Sequence, residues 1–335
     1  MIPMNTDNEL QAKLKSKNPA DRMLAVMRLG ESQTGARAAF LHLVESLKDQ
    51  DFGVRTSAAS ALVRAGADAV PHLEKLLNDP HRLVRVNGAC NLLRIQSHAG
   101  ALAVVTDALR PDQDDKIKRN TFYDLSNMGP AAITALPAIL QALDDPSHAF
   151  RERAFDVLQI LGPLASAAVP KLMELWRKKQ NRAEVVFTLG CMGPAAANAV
   201  PLLIEALHEK GTAMQGCAAT ALGDIGPEAR EAIPDLVKVL SSGKGDVPGR
   251  AAETLTKLGP PVEGAGKGLL KLLEHKTIGV RLTAARALAL LEPGKAKKAF
   301  SVLKKDYKKH EFDRDEIAEI ARMIDADTAK KHGLV

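Results

Sequence analysis

Eight leucines recur at near-constant separation: Leu62, Leu92, Leu125, Leu158, Leu189, Leu222, Leu255 and Leu288. The intervals are 30, 33, 33, 31, 33, 33 and 33 residues. A period of this length demands one supersecondary unit per copy. No copy can bury its apolar face alone, so a core forms only by stacking neighbours. Apolar residues fall eight, four and three positions before each anchor and three after it, which is one stripe of an α-helix. Four residues past the anchor stands Gly129, Gly162, Gly193, Gly226 or Gly259, each followed by a proline. Glycine can take the left-handed conformation that ends a helix, and proline cannot continue one but can begin the next. A second proline (Pro71, Pro137, Pro170, Pro201 or Pro234) then opens the first helix of the following unit. A segment such as "MGPAAANAVP" (192–201) is thus expected to connect two helical hairpins.

Composition agrees with helices. The chain is 46% hydrophobic but only 3% aromatic, a bias that suits close packing through Ala and Leu and suits strands poorly. The segments "DQDFGVRTSAASAL" (49–62), "NDPHRLVRVNGACNLL" (78–93), "DDPSHAFRERAFDVL" (144–158) and "HKTIGVRLTAARAL" (275–288) resemble HEAT-like repeats, of the type also seen in phycobilin lyases. The resemblance implies an all-α superhelix, an armadillo-type solenoid of about ten hairpins. The expected organisation is a single solenoid over residues 1–335. A capping repeat would span 1–36, regular repeats 37–299 and a second cap 300–335. The same repeat serves scaffolds, adaptors and a few enzymes, so the fold alone does not assign a function.

Cys90, Cys191 and Cys217 form no CxxC pair and no even disulfide framework, which points to a reducing, cytoplasmic setting. The opening "MIPMNTDNELQAKLK" lacks the charged and apolar regions of a secretory leader, and no later run is expected to span a membrane. A net charge of +6 permits anionic partners without requiring them.

Chemical motifs are sparse. A basic side chain recurs seven residues before the anchor, as Arg55, Arg85, Lys118, Arg151, Arg182 and Arg281. That position faces the adjoining turns, where carboxylates or carbonyls near Asp79 or Asp145 are the expected partners, so the ladder reads as a stacking device. A di-iron hydroxylase on related repeats needs His-Glu pairs at matched repeat positions. His208-Glu209 and His310-Glu311 occupy unrelated ones, so no metal is expected. No bilin site, other cofactor or catalytic residue is identified either. "SSGKGDVPGR" (241–250) lacks phosphate-loop spacing, and "PDQDDK" (111–116) lacks calcium-loop spacing and reads as a helix cap. Two basic clusters, "WRKKQNR" (176–182) and "KAKKAFSVLKKDYKKH" (295–310), could meet phosphates or serve as solvated surface.

The positions five and two before the anchor and two after it lie opposite the buried stripe. In a HEAT-like superhelix they are expected to line a concave groove. Asn87 and Asn120 stack at one such position, and an amide can both donate to and accept from an extended backbone; armadillo repeats use stacked asparagines in that way. Arg64, Arg94 and Arg153 make this half of the groove basic. Tyr123 adds exposed aromatic surface of a kind enriched at interfaces, and Asn127 lies in the same series. The expected function is a non-enzymatic scaffold that binds a protein or extended peptide at these seven residues. Nucleic acid is the alternative partner, including a base-repair glycosylase-type activity, for which Asp156 is the only central acidic candidate.

Overall fold

The computed structural model describes residues 7–31 and 39–334. Part of the leader reading, and part of the expected 1–36 cap, lie outside the described residues. The chain divides into two compact units, Met1–Leu164 and Ala165–Val335. Among the described residues there is no strand.

Unit 1 contains five hairpins. These are α1 (Asp7–Leu14) with α2 (Pro19–Leu29), α3 (Phe40–Ser46) with α4 (Phe52–Ala65), α5 (Val70–Leu76) with α6 (Arg82–Ile95), α7 (Ala99–Ala108) with α8 (Asp115–Met128), and α9 (Leu136–Ala142) with α10 (His148–Leu161). The second helices form one layer, in which α2 packs on α4, α4 on α6, α6 on α8 and α8 on α10. Unit 2 repeats the plan with α11 (Val169–Arg177), α12 (Arg182–Met192), α13 (Val200–Leu207), α14 (Thr212–Ile225), α15 (Ile233–Ser242), α16 (Val247–Leu258), α17 (Ala265–Leu272) and α18 (Ile278–Leu291). It ends in the short α19 (Pro293–Ala296), then α20 (Phe300–Lys309), α21 (Arg314–Ile324) and α22 (Ala326–Lys331).

All eight anchor leucines are fully buried. Asp114 caps α8 by accepting from the backbone N–H groups of Lys116 and Ile117, so the "PDQDDK" acid cluster is a cap, as expected. The connectors are 3-10 turns, each entered through a glycine in the left-handed half of φ: 56° at Gly129, 51° at Gly162, 56° at Gly193 and 82° at Gly226. Gly259 has φ 71° but is followed by bends in place of a 3-10 turn. At Gly193 an added Cβ would also stand 3.4 Å from the Asp224 carbonyl oxygen. Gly193→Ala is therefore expected to cost about 1 kcal/mol or more, read as a lower denaturation midpoint. An unchanged midpoint would mean that this φ is not needed.

The basic ladder is a set of internal clamps. Arg55 donates to the carbonyls of Asp49 and Gln50, Arg85 to those of Asp79 and Pro80, and Arg151 to those of Asp145 and Pro146. Arg281 adds a two-pronged pair with the buried Asp306, and Lys118 reaches the buried Asp145. Arg22 does the same from α2, holding the carbonyls of Ser16 and Lys17 and both oxygens of Asp49. Each clamp closes its own turn, and several also tie to the turn of the next hairpin.

Two sequence expectations change. Arg182–Leu207 is long and apolar enough to cross a membrane by composition, with a mean hydropathy of 1.5. It breaks at Gly193 into α12, a 3-10 turn and α13, and 61% of its apolar window is buried within the protein. These are two core helices of successive hairpins joined by a repeat connector. Trp176, read as part of a surface cluster, is 4% exposed. Its Nε1 donates to Glu205, and the Arg182 guanidinium lies 3.5 Å above its ring while pairing with Glu209.

Candidate partner-binding face

The outward positions of the second helices in unit 1 meet in two depressions. The first is a shallow cleft of about 500 Å³ between α2 and α4, lined by Leu24, Met27, Ser57, Ser60 and Arg64 among others. Leu24 is 42% and Met27 50% exposed. The second is a narrow notch of about 20 Å³ among α4, α6 and α8, room for one water-sized group.

Of the expected site residues, Asn87, Arg94 and Asn127 line the notch and Arg64 lines the cleft. Tyr123 stands exposed beside the notch, its ring edge-on to Phe52 at 4.3 Å between centroids. Asn120 and Arg153 line neither depression. The outward-facing asparagine pair is not what the fold presents. Asn87 is 4% exposed and its amide donates to the Leu47 carbonyl at the end of α3. Asn120 is half-buried and donates to Lys116 within its own helix. The interval of 30 residues between Leu62 and Leu92 is the shortest in the array, and α6 sits deep enough that both Asn87 and Cys90 are buried.

The arginines also differ. Both Nε and Nη2 of Arg64 donate to the Gly30 carbonyl, and Arg153 pairs with Asp156 at 3.3 Å on the surface. Arg94 is half-buried with no hydrogen-bond or ion-pair partner among the described residues. Burial lowers its pKa, opposed by the charge of Asp124. Asp124 itself is pushed up to about 7 by burial, against the pull of Arg55 and Arg94. Asn91, 5% exposed, donates through Nδ2 to the Asn87 carbonyl, but its buried Oδ1 has no partner. The Cys90 thiol is held well above its ordinary range by burial and then by the charge of Asp124. A thiol so raised is a packing group, since the thiolate is the nucleophile.

Sequence reasoning missed Asn91, Asp124, Leu24 and Met27. The first two occupy the position just before the anchor, where the other repeats carry Ala61, Val157, Thr188, Ala221, Thr254 and Ala287. Two consecutive polar residues in a small or apolar column were a readable signal. Leu24 and Met27 emerge when the groove offsets are applied to Leu29 in the degenerate first repeat.

In unit 2, His208 bonds Asp235 at 2.9 Å while its neighbour Glu209 pairs with Arg182. The two side chains of that His-Glu pair therefore serve different contacts between turns.

The sequence pattern for HEAT repeats matches residues 8–94. No curated protein matches the chain. Among solved structures, an engineered protein is 21% identical with a TM-score of 0.52, covering 96% of this chain and 98% of that one. Importin beta in an ammonium sulfate condition is 13% identical with a TM-score of 0.63, covering 94% of this chain and 51% of that one. The karyopherin Kap121p, bound to the extreme C-terminus of the protein phosphatase Cdc14p, is 15% identical with a TM-score of 0.57. That match covers 98% of this chain and 43% of the karyopherin, so the chain spans about half the length of these two relatives or less. At such identities the likeness is one of fold. The chain is a HEAT-like repeat protein with an α-solenoid fold, and solenoids of this type typically mediate protein interactions.

Proposed function

We propose that the chain is a non-enzymatic interaction scaffold of the cytoplasm, and that the second-helix face of unit 1 binds an extended protein segment. The observation that carries this reading is the row of exposed apolar side chains on that face, Leu24, Met27, Tyr123 and Ile160, each 42–50% exposed. Unpaired polar groups at Arg94 and Asn91 lie among them. Apolar anchors beside hydrogen-bonding groups are what an extended segment needs for affinity and register. The Kap121p structure, with a protein C-terminus bound to a similar fold, supports it by analogy. Free cysteines fit a reducing compartment.

Selection of random peptides against the intact protein tests the reading. Enriched peptides are expected to lose about tenfold to a hundredfold in affinity when Met27 and Tyr123 are both changed to Ser, with the fold retained. Changing Lys298, Lys304, Lys305, Lys308 and Lys309 to Gln is expected to leave that affinity nearly intact. No enrichment of any peptide, with DNA or RNA bound in a manner abolished by the lysine changes, would replace this reading with a nucleic-acid one.

A further inference from the structure

The hairpin turns of unit 2 carry a row of lysines that the fold does not use. Lys179 stands between α11 and α12, Lys210 between α13 and α14, Lys244 between α15 and α16, and Lys276 between α17 and α18. Lys309 ends α20, at the last of these hairpins. All five are exposed, and their ammonium groups have no hydrogen-bond or ion-pair partner among the described residues. The second helices α12, α14, α16, α18 and α21 pack in that order, so the turns leading into them follow one edge of the unit. Lys210 and Lys244, from successive turns, line one cleft of about 640 Å³ there. The turn itself does not require a lysine. Twelve residues before the anchor, where unit 2 has Lys210 and Lys276, unit 1 has Gln50, Pro80, Gln113 and Pro146. Nearby acids are held in other pairs: Glu174 with Lys178, Glu209 with Arg182 and Asp246 with Arg250.

We propose that this edge of unit 2 is a docking surface for duplex nucleic acid, held through its phosphate backbone without regard to base sequence. Packed helices stand about 8–10 Å apart, so the five lysines span roughly 30–40 Å, about one turn of duplex. A duplex carries one negative charge per about 1.7 Å of its axis, which gives every lysine along such a row phosphates to meet. Interfaces with proteins are depleted in lysine and enriched in aromatic residues, Met and Arg; this edge has the opposite make-up. Phe312, close after Lys309, is the one large apolar side chain exposed in these turns among the described residues. A bilayer surface takes an apolar face along with the charge, and single-strand binders lay successive bases on several rings. One ring at one end supplies neither. Lysine meets phosphate as a point charge, a contact that positions a duplex and reads no base edge.

This surface uses none of the side chains assigned to the peptide face of unit 1, so the two readings fall separately. A fluorescent DNA duplex of about 20 base pairs, in two unrelated sequences, is titrated with the intact protein from about 50 to 200 mM salt. Both sequences should bind alike, with log K falling against log salt at a slope of about −3 to −5. Changing Lys179, Lys210, Lys244 and Lys276 together to Gln should weaken binding by about tenfold or more at the lowest salt. The slope should become shallower by about three units. Changing the exposed Lys15, Lys17, Lys75 and Lys116 of unit 1 to Gln removes the same charge and should cost less than about threefold. Thermal melts verify that both variants fold. Equal losses from the two sets would trace the attraction to net charge and overturn the proposal, as would no binding at the lowest salt. It would fall equally if a polyglutamate peptide, a single strand or vesicles rich in phosphatidylserine bound more tightly than the duplex.

Discussion

Lys118→Ala is expected to destabilise the protein by about 3–5 kcal/mol, seen as a marked fall in the urea midpoint. The side chains of Lys118 and Asp145 are 4% and 2% exposed, with Nζ 3.0 Å from Oδ2. Nζ also donates to the Pro111 carbonyl at 3.3 Å and lies 4.1 Å from the centre of the Phe150 ring. Removing the cation leaves the Asp145 carboxylate in a dry turn where, among the described residues, only the Ser147 N–H still donates to it. An uncompensated buried charge costs far more than the pair contributes when intact. Adding Asp145→Asn to the Lys118→Ala protein should recover part of the loss by removing that charge. The control is Arg153→Ala, which breaks an exposed pair whose side chains are 64% and 47% exposed; it should change stability by less than about 1 kcal/mol. Equal effects of Lys118→Ala and Arg153→Ala would refute the distinction between clamp and surface pair.

That contrast marks where sequence was a sufficient guide. Hairpin order, anchor burial, the left-handed glycines and the inward role of the basic ladder were all legible, because they depend on local chemistry repeated many times. One copy of Gly-Pro says little, whereas five at the same offset impose a connector. The binding face was legible only in part, because it depends on departures from the repeat. The offsets selected Arg64, Tyr123, Asn127 and Arg153 as outward-facing, and these are exposed. They failed at Asn87, whose amide is buried and donates to the Leu47 carbonyl instead of facing outward. They passed over Asn91 and Asp124 because that column is buried in the other repeats, and attention to the exposed columns hid the anomaly in a buried one. Arg64, Arg94 and Arg153 looked equivalent as letters. Only the surroundings separate an arginine held by a carbonyl, one paired on the surface and one left without a partner.

Asp124 has a consequence for pH that distinguishes it from the other perturbed carboxylates. Its pKa is raised from 3.8 to about 7, first by burial and against the opposing charges of Arg55 on α4 and Arg94 on α6; the neighbouring Cys90 thiol stays neutral throughout this range. The folded protein therefore holds a proton that the unfolded chain has released, so stability falls as pH rises from about 4 to about 7 and levels off above that. Roughly three pKa units correspond to a few kcal/mol, on the order of 4 at most. Asp49 and Asp325 act in the opposite sense. Asp49 is raised by burial but lowered more by its bonds from Arg22 and Asp51 together with nearby charge. Asp325 is lowered to about 2, chiefly by Lys297 and the Thr328 N–H. Their contribution is present above the ordinary carboxylate range and lost as pH falls below about 4, so it does not overlap the window of Asp124. Asp124→Asn keeps the shape of the notch and removes the titration. The variant is expected to match the wild type near pH 4.5, to exceed it by a few kcal/mol at pH 8, and to show a flat profile between. Denaturation curves collected across that range decide the matter: a slope that persists in Asp124→Asn would place its origin in another group and leave the Asp124 carboxyl ionised in the folded protein at neutral pH.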